Sequence, residues 1–347
     1  KTFTKQLQEL GFDYDWSKMI ATSDPEFYHW TQWIFKQLYK DGYAKYVDMP
    51  VNWCEELGTV LSNDEVIDGK SERGGYPVIR KNMKQLCIDQ AAFAERLLEG
   101  LNEIDWPEST KEMQRNWIGR STGVEVQFEI VGGGKFSIFT TCIETIYGIT
   151  FMVLAPDGDL VQELMPRIKN QDEVKAYIQE TVSKSEMDRT ELNKGKTGCR
   201  LEGIKAINPV NGREVEVFIG DFVLANYGTG AVMAVPSHDQ RDFEYAIAHN
   251  IDRIQVIEGQ DVSEHAFEKQ DYLGKGCKLI NSEEFTGLTV EEAKVAITKK
   301  LVDMGIAKET VNYRFREWIF ARQRYWGEPV PIVHLEDGTD YVLPDEE

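Results

Sequence analysis

The residues best equipped for chemistry lie in one run, YGTGAVMAVPSHDQRDFEYA, at positions 227–246. Two glycines, Gly228 and Gly230, flank Thr229 and let a backbone pass close to a ligand. The apolar stretch AVMAVP then reads as a strand that stops at Pro236, with Ser237 the expected N-cap of a helix beginning at His238. Asp239 and Asp242 stand three apart, so such a helix sets both carboxylates on neighbouring surface of its first turns. A carboxylate there suits a cationic group, and an aspartate near a helix N-terminus is also favoured by the dipole alone. Phe243, Ala246 and Ile247 supply the face the helix would bury. The glycines are no dinucleotide fingerprint, because a third glycine and its βαβ setting are missing.

A second run, FTTCIETIYG at 139–148, gathers Thr140, Thr141 and Thr145. Taken alone, Thr140 and Thr141 are ordinary strand formers. Cys142 is a small thiol with nothing beside it that marks a nucleophile.

Three textures along the chain suggest what positions these runs. Residues 1–121 are rich in helix signals and tryptophan: KTFTKQLQELGF halts at Gly11, and DPEFYHWTQWIFKQLYKDGYA opens on Asp24-Pro25 with apolar residues at 27, 30, 34 and 38. VNWCEELGTVLSNDEV reads as short strands and turns, and QAAFAERLLEGLNEI and STKEMQRNW as further helices. From 122 to 310 the pattern turns to short strands, VEVQFEI, KFSIFTT, ITFMVLA, REVEVFIG and GAVMAVP. Helices NQDEVKAYIQETVSKS, HDQRDFEYAIAHN and TVEEAKVAITKKLVDMG intervene, which predicts a compact α+β or barrel-like domain with helices outside it. Residues 311–347 return to the Trp/Arg texture, so the simplest topology is a domain inserted into a host.

The balance of 39 basic and 59 acidic residues, net −20, argues against broad electrostatic binding of nucleic acid. Arg314, Arg316, Arg322 and Arg324 nonetheless cluster in YRFREWIFARQRYW with one acid, Glu317, among them. Five scattered cysteines include no C-x-x-C pair, which supports neither a disulfide framework nor a zinc knuckle and fits a reducing cytoplasm. No apolar run reaches the ~18 residues that span a bilayer.

Four blocks, in order, resemble the leucyl-tRNA synthetase family of bacterial type. They are DPEFYHWTQWIFKQLYKDGYA with VNWC, MQRNWIGRS (113–121, similar to the strand leading into the insertion), YGTGAVMAVPSHDQRDFEYA, and REWIFARQRYWGEPVPIVH (316–334). The resemblance covers nearly the whole chain; the HDQRD form and NWIGRS favour the leucyl branch over the valyl and isoleucyl ones. It implies an α/β and α+β multidomain fold, with a β-rich barrel-like editing domain (122–310) inserted into a helix-rich portion of a Rossmann-type catalytic core (1–121 and 311–347). The family's ATP signatures are H-x-G-H and K-M-S-K-S. None of the five histidines (His29, His238, His249, His265, His334) forms the first, and Ser17-Lys18-Met19 is not the second. With no initiator Met and a start inside a helix pattern, the chain is expected to be an internal fragment. It should activate no leucine and need no cofactor, whereas the full-length enzyme uses ATP and Mg.

By the same resemblance, the fragment hydrolyses mischarged tRNA(Leu) carrying isoleucine or norvaline. Asp242 is implied as the contact to the α-ammonium of the aminoacyl ester, and Thr140 and Thr141 as holders of the hydrolytic water and terminal ribose. Thr145 is implied to crowd out leucine, and Met233, Val235, Tyr227 and Asp239 to line the substrate pocket. Where the family commonly has Arg and then Asp between the threonines, this chain has Cys142 and Glu144. Many relatives bind zinc after VNWC, but Cys54 is followed by KSERGGYPVIR without cysteines, so no metal is expected. The implied partners are tRNA(Leu) and the aminoacyl ester, with no membrane and a monomeric enzyme. The alternative reading is a catalytically silent module that positions tRNA.

Overall fold

A computed structural model describes residues 2–182, 189, 197–225, 229–315, 317–320 and 328–346. Tyr227, Gly228, Arg316, the RQRYWG stretch and the tail of the 170–185 helix pattern lie outside the described residues. The chain divides into two compact units, one of Lys1–Asp48, Lys84–Phe93 and Glu317–Glu347, the other of Met49–Met83 and Ala94–Arg316. Among the described residues no helix is long and apolar enough to cross a membrane.

In the first unit, helix Pro25–Lys40 starts where Asp24-Pro25 says it should, since proline's fixed φ and missing N–H suit a first turn. Its buried side is not the expected one. Phe27, Trp30 and Ile34 are exposed, and Phe35 packs with Ala44 and Leu86 in a small cluster that Leu38, the one expected residue to do so, joins.

The second unit holds a seven-stranded sheet, whose strands we number in chain order: β1 (Ser121–Ile130), β2 (Lys135–Thr140), β3 (Phe151–Leu154), β4 (Gly198–Ile207), β5 (Glu214–Gly220), β6 (Ala231–Ala234) and β7 (Ala307–Asn312). The strand order is β6-β3-β5-β4-β1-β7, with β2 also paired to β1. Only β3 and β5 run parallel; the other pairs are antiparallel. β2 and β6 lie side by side without a ladder among the described residues, so pairing does not close the sheet into a barrel. Alternating apolar residues face one core, where Phe128, Ile138, Met152 and Leu201 are fully buried. Each such side chain contributes roughly 1.5–3 kcal/mol.

Among the helices of this unit are α1 (Gln171–Val182), α2 (Gln240–Ala248) and α3 (Val290–Asp303). A full capping box, Thr289 with Glu292, starts α3. α3 presses Ala293, Ile297 and Leu301 onto the core and packs against both β7 and the 3-10 segment Ile143–Gly148.

Two local expectations fail. Of MQRNWIGRS only Ser121 is strand: the helix read in STKEMQRNW holds as Glu108–Ile118, Gly119 ends it at φ +60, and β1 begins at Ser121. β4 goes unread in the sequence because its alternation slips. Cys199 and Leu201 are buried, then Ile204 and Ala206, the phase shifting at Gly203 with φ +87.

Candidate functional site

Thr140 ends β2 at a point of close approach to β1. A Cβ at Gly123 would lie 2.3 Å from the Thr140 carbonyl oxygen, so only glycine lets the chains meet there. The Thr140 hydroxyl accepts the Cys142 N–H at 3.0 Å, which leaves its own proton to be donated. Thr145 is buried and donates its hydroxyl to the Cys142 carbonyl at 2.8 Å. That bond fixes the rotamer of a β-branched side chain and so fixes where its methyl stands. Thr141 is half-buried, its Oγ1 3.6 Å from Cys142 Sγ. Two lysines converge on it: Lys294 Nζ donates to its carbonyl at 2.9 Å, and Lys269 Nζ reaches its Oγ1 at 3.5 Å.

Behind the threonines Glu144 is fully buried. Tyr272 donates to its Oε1 at 3.1 Å, while Oε2 has no partner. Burial pushes the Glu144 carboxyl up, an effect that its own backbone N–H, Lys294, the Tyr272 hydroxyl and Lys269 partly offset.

The second segment is organised by backbone bonds. Asp239, not Ser237, caps α2, its Oδ1 accepting the N–H groups of Arg241 at 2.9 Å and Asp242 at 3.2 Å. The helix therefore begins at Gln240, and Ser237 is wholly buried before it. His238 is a buried bridge: Val256 N–H donates to Nε2 at 3.0 Å, which requires Nδ1 to carry the proton it gives to the Phe267 carbonyl at 3.0 Å. Burial pushes His238 down to about 4. Asp242 is 9% exposed, and its Oδ2 accepts the Val235 N–H at 2.9 Å, tying the strand end to the helix. Of the expected buried face, Phe243 and Ala246 hold and Tyr245 joins them. Ile247 is 58% exposed, because the arc centres between Asp242 and Ala246 and leaves it beyond Phe243.

The two segments meet at Val235. A Cβ on Gly148 would stand 3.0 Å from Val235 Cγ1, so the residue after the Thr-rich turn makes room for the residue that Asp242 holds. β2 and β6, which end in or lead to the two runs, are neighbours.

Residues 115–302 match the family model described as leucyl-tRNA synthetase, editing domain, and residues 1–198 match that of tRNA synthetases class I (I, L, M and V). The chain belongs to the leucyl-tRNA synthetase family. Among solved structures it is similar to the Agrobacterium radiobacter K84 agnB2 LeuRS in its ternary complex with tRNA and LeuAMS. Identity is 30% and the TM-score 0.76, over 99% of this chain and 39% of that one. The chain thus spans 39% of the length of that relative.

Within this editing-domain match, the structure places Thr140, Thr141 and Thr145 together around Cys142, and Val235, Asp239 and Asp242 together at the start of α2. Met233 lies on β6 opposite Met152, half-buried. Tyr227 lies outside the described residues. Lys269, Lys294 and Tyr272 escaped the sequence reading. Their only signal was being charged or aromatic far along the chain, which many surface residues share. Among the described residues no group of three or more His, Cys, Asp or Glu is arranged to hold a metal ion.

Proposed function

We propose that this chain carries the post-transfer editing site of a leucyl-tRNA synthetase and hydrolyses tRNA(Leu) mischarged with isoleucine or norvaline. The observation that carries the reading is the meeting of the Thr-rich segment with the Asp242 helix through Val235 and Gly148. An aminoacyl ester presents an α-ammonium beside a reactive carbonyl. In this reading Asp242 receives the ammonium from the floor of the site, in a poorly solvated position where a charge interaction counts for more than in water. The Thr140 and Thr141 hydroxyls orient water and the terminal ribose, and the fixed Thr145 methyl denies space to the branches of leucine. Met233 and Val235 supply apolar lining, Tyr227 belongs to the same pocket, and Asp239 works through the helix it caps.

The full-length protein would ligate leucine to tRNA(Leu) with ATP and Mg in the cytoplasm, as a monomer. Residues 1–121 and 311–347 would be host core and 122–310 a barrel-like insertion in a Rossmann-type domain. This chain, without the ATP signatures, would not activate leucine. One feature favours a catalytically silent tRNA-positioning module instead: at the centre of the Thr-rich turn stands Cys142, whose thiol contacts Thr141. Incubating the chain with mischarged and correctly charged tRNA(Leu) separates the readings. Selective loss of the mischarged ester supports editing, and equal half-lives for both overturn it.

A further inference from the structure

The editing reading leaves one feature of the site without a task, the pair of lysines at Thr141. They come from different elements. Lys294 lies on α3, and Lys269 opens the short helix Lys269–Tyr272. Both are half-buried, and in a chain of net charge −20 neither has a carboxylate within ion-pairing distance among the described residues. The buried Glu144 carboxylate, on which both lysines act, offsets at most one of the two charges, so the pair reaching Thr141 at 2.9 and 3.5 Å keeps net positive charge that an anionic ligand between them would balance. Each ammonium has three donors and spends one on Thr141, so two remain on each. The arrangement is also braced. Tyr272, on the same short helix as Lys269, is anchored by its bond to the buried Glu144 carboxylate. α3 is fixed by its capping box and by packing on the Thr-rich segment.

The anion must lie next to the group that Thr141 holds. Resting on the editing reading, that group is the terminal ribose, and the nearest anion in such a substrate is the phosphodiester on the 5′ side of the terminal nucleotide. We propose that Lys269 and Lys294 form an anion subsite that grips this phosphodiester and so sets the ester against the threonines. They are positioning residues: they act on where the substrate lies, and touch no reacting atom.

The test uses the full chain and two non-hydrolysable probes. Both are adenosine carrying norvaline through a 3′-amide, one with a 5′-methylphosphate diester and one with a 5′-hydroxyl. Wild type is expected to bind the diester on the order of tenfold more tightly at low salt, as charge-assisted hydrogen bonds would give, and the preference should shrink as salt rises. Lys269→Gln and Lys294→Gln should each reduce the preference and together remove it, while Lys→Arg at either position keeps it. The Gln variants are used only if they melt as wild type does, and the salt dependence of wild type stands as the second measurement. A wild type without preference, including one that binds neither probe, overturns the subsite, as does a preference unchanged in the double variant. The two proposals fail separately: hydrolysis of mischarged tRNA without a phosphate preference leaves editing standing and sinks the subsite, and a preference without hydrolysis does the reverse.

Discussion

The two segments of the site are built on opposite plans. From Val235 to Asp242 most polar groups are satisfied by backbone no more than 29 positions away: Asp239 caps its own helix, Asp242 holds Val235, and His238 bridges two main-chain groups 18 and 29 positions on, although the buried Ser237 hydroxyl has no partner. From Thr140 to Thr145 the local bonds hold only the turn. The cations and the tyrosine that complete it come from residues 128 to 153 positions away. One of its buried atoms, Glu144 Oε2, is left without a partner. A segment that satisfies itself is stiff and spells its role contiguously. A segment completed from afar depends on the fold to assemble it, and its chemistry can be tuned from other elements.

The largest effect should come from Asp242, where the two jobs of one carboxylate can be separated. Asp242→Asn keeps an acceptor for the Val235 N–H but loses the charge. Deacylation of mischarged tRNA(Leu) should fall by the roughly 2–5 kcal/mol typical of truncating a desolvated charge contact, with melting nearly unchanged. Asp242→Ala should lose the same activity and also about 1–3 kcal/mol of stability, because a buried N–H is left unsatisfied. An Asn variant that deacylates at the wild-type rate would make Asp242 a latch and nothing more.

His238 tests the self-satisfied plan by pH. Its folded-state value, about 4, lies below the ordinary 6.5, so the unfolded chain binds more protons between those limits. The sign follows: the stabilisation is complete above pH 6.5 and is lost as pH falls toward 4, roughly 3 kcal/mol in all. Urea titrations at pH 7 and 5 should show wild type weakening on acidification across that window. His238→Gln should start lower and be flatter. Parallel profiles for the two would remove the neutral bridge from the account.

How much of this was legible follows the same division. The strands carrying alternating Val, Phe and Ile were readable, as were the helix pattern of α3 and the grouping of the three threonines. β4 was missed because Gly203 shifts its phase, and the α2 cap was misplaced by two residues because serine and aspartate are equally good caps. Which one wins depends on where Phe243 and Ala246 must point. Lys269 and Lys294 were invisible because a lysine's meaning here is set by what the fold brings within 3.5 Å.

Thr145 gives a smaller effect with an informative sign. If its fixed methyl excludes leucine, Thr145→Ala should create an activity, shortening the half-life of correctly charged Leu-tRNA(Leu) by the equivalent of about 1–3 kcal/mol. Clearance of the isoleucyl ester should persist. A threonine that only ties the turn to the Cys142 carbonyl would, on replacement, cost some stability and open no new substrate.

The smallest expected effect sharpens the comparison most, because its pH dependence runs against that of His238. Glu144 is fully buried with one oxygen unpartnered, and burial raises its folded-state pKa above the ordinary value of 4.5. A raised carboxylate is protonated more readily in the folded chain than in the unfolded one. This group therefore favours folding in acid, and the benefit is lost as pH rises from 4.5 through the folded value. At neutral pH the ionised carboxylate is a cost that Tyr272, Lys294 and Lys269 only partly relieve. Glu144→Gln retains an acceptor for the Tyr272 hydroxyl and removes the charge, so stability at pH 7.5 should rise, on the order of 1 kcal/mol. The gain should shrink toward pH 4.5, where wild type also becomes neutral. Chemical denaturation of both proteins at the two pH values reads this directly. A Gln variant less stable than wild type at pH 7.5 would mean that the lysines hold Glu144 as a net favourable ion cluster, and the Thr-rich segment would then be as self-consistent as its neighbour.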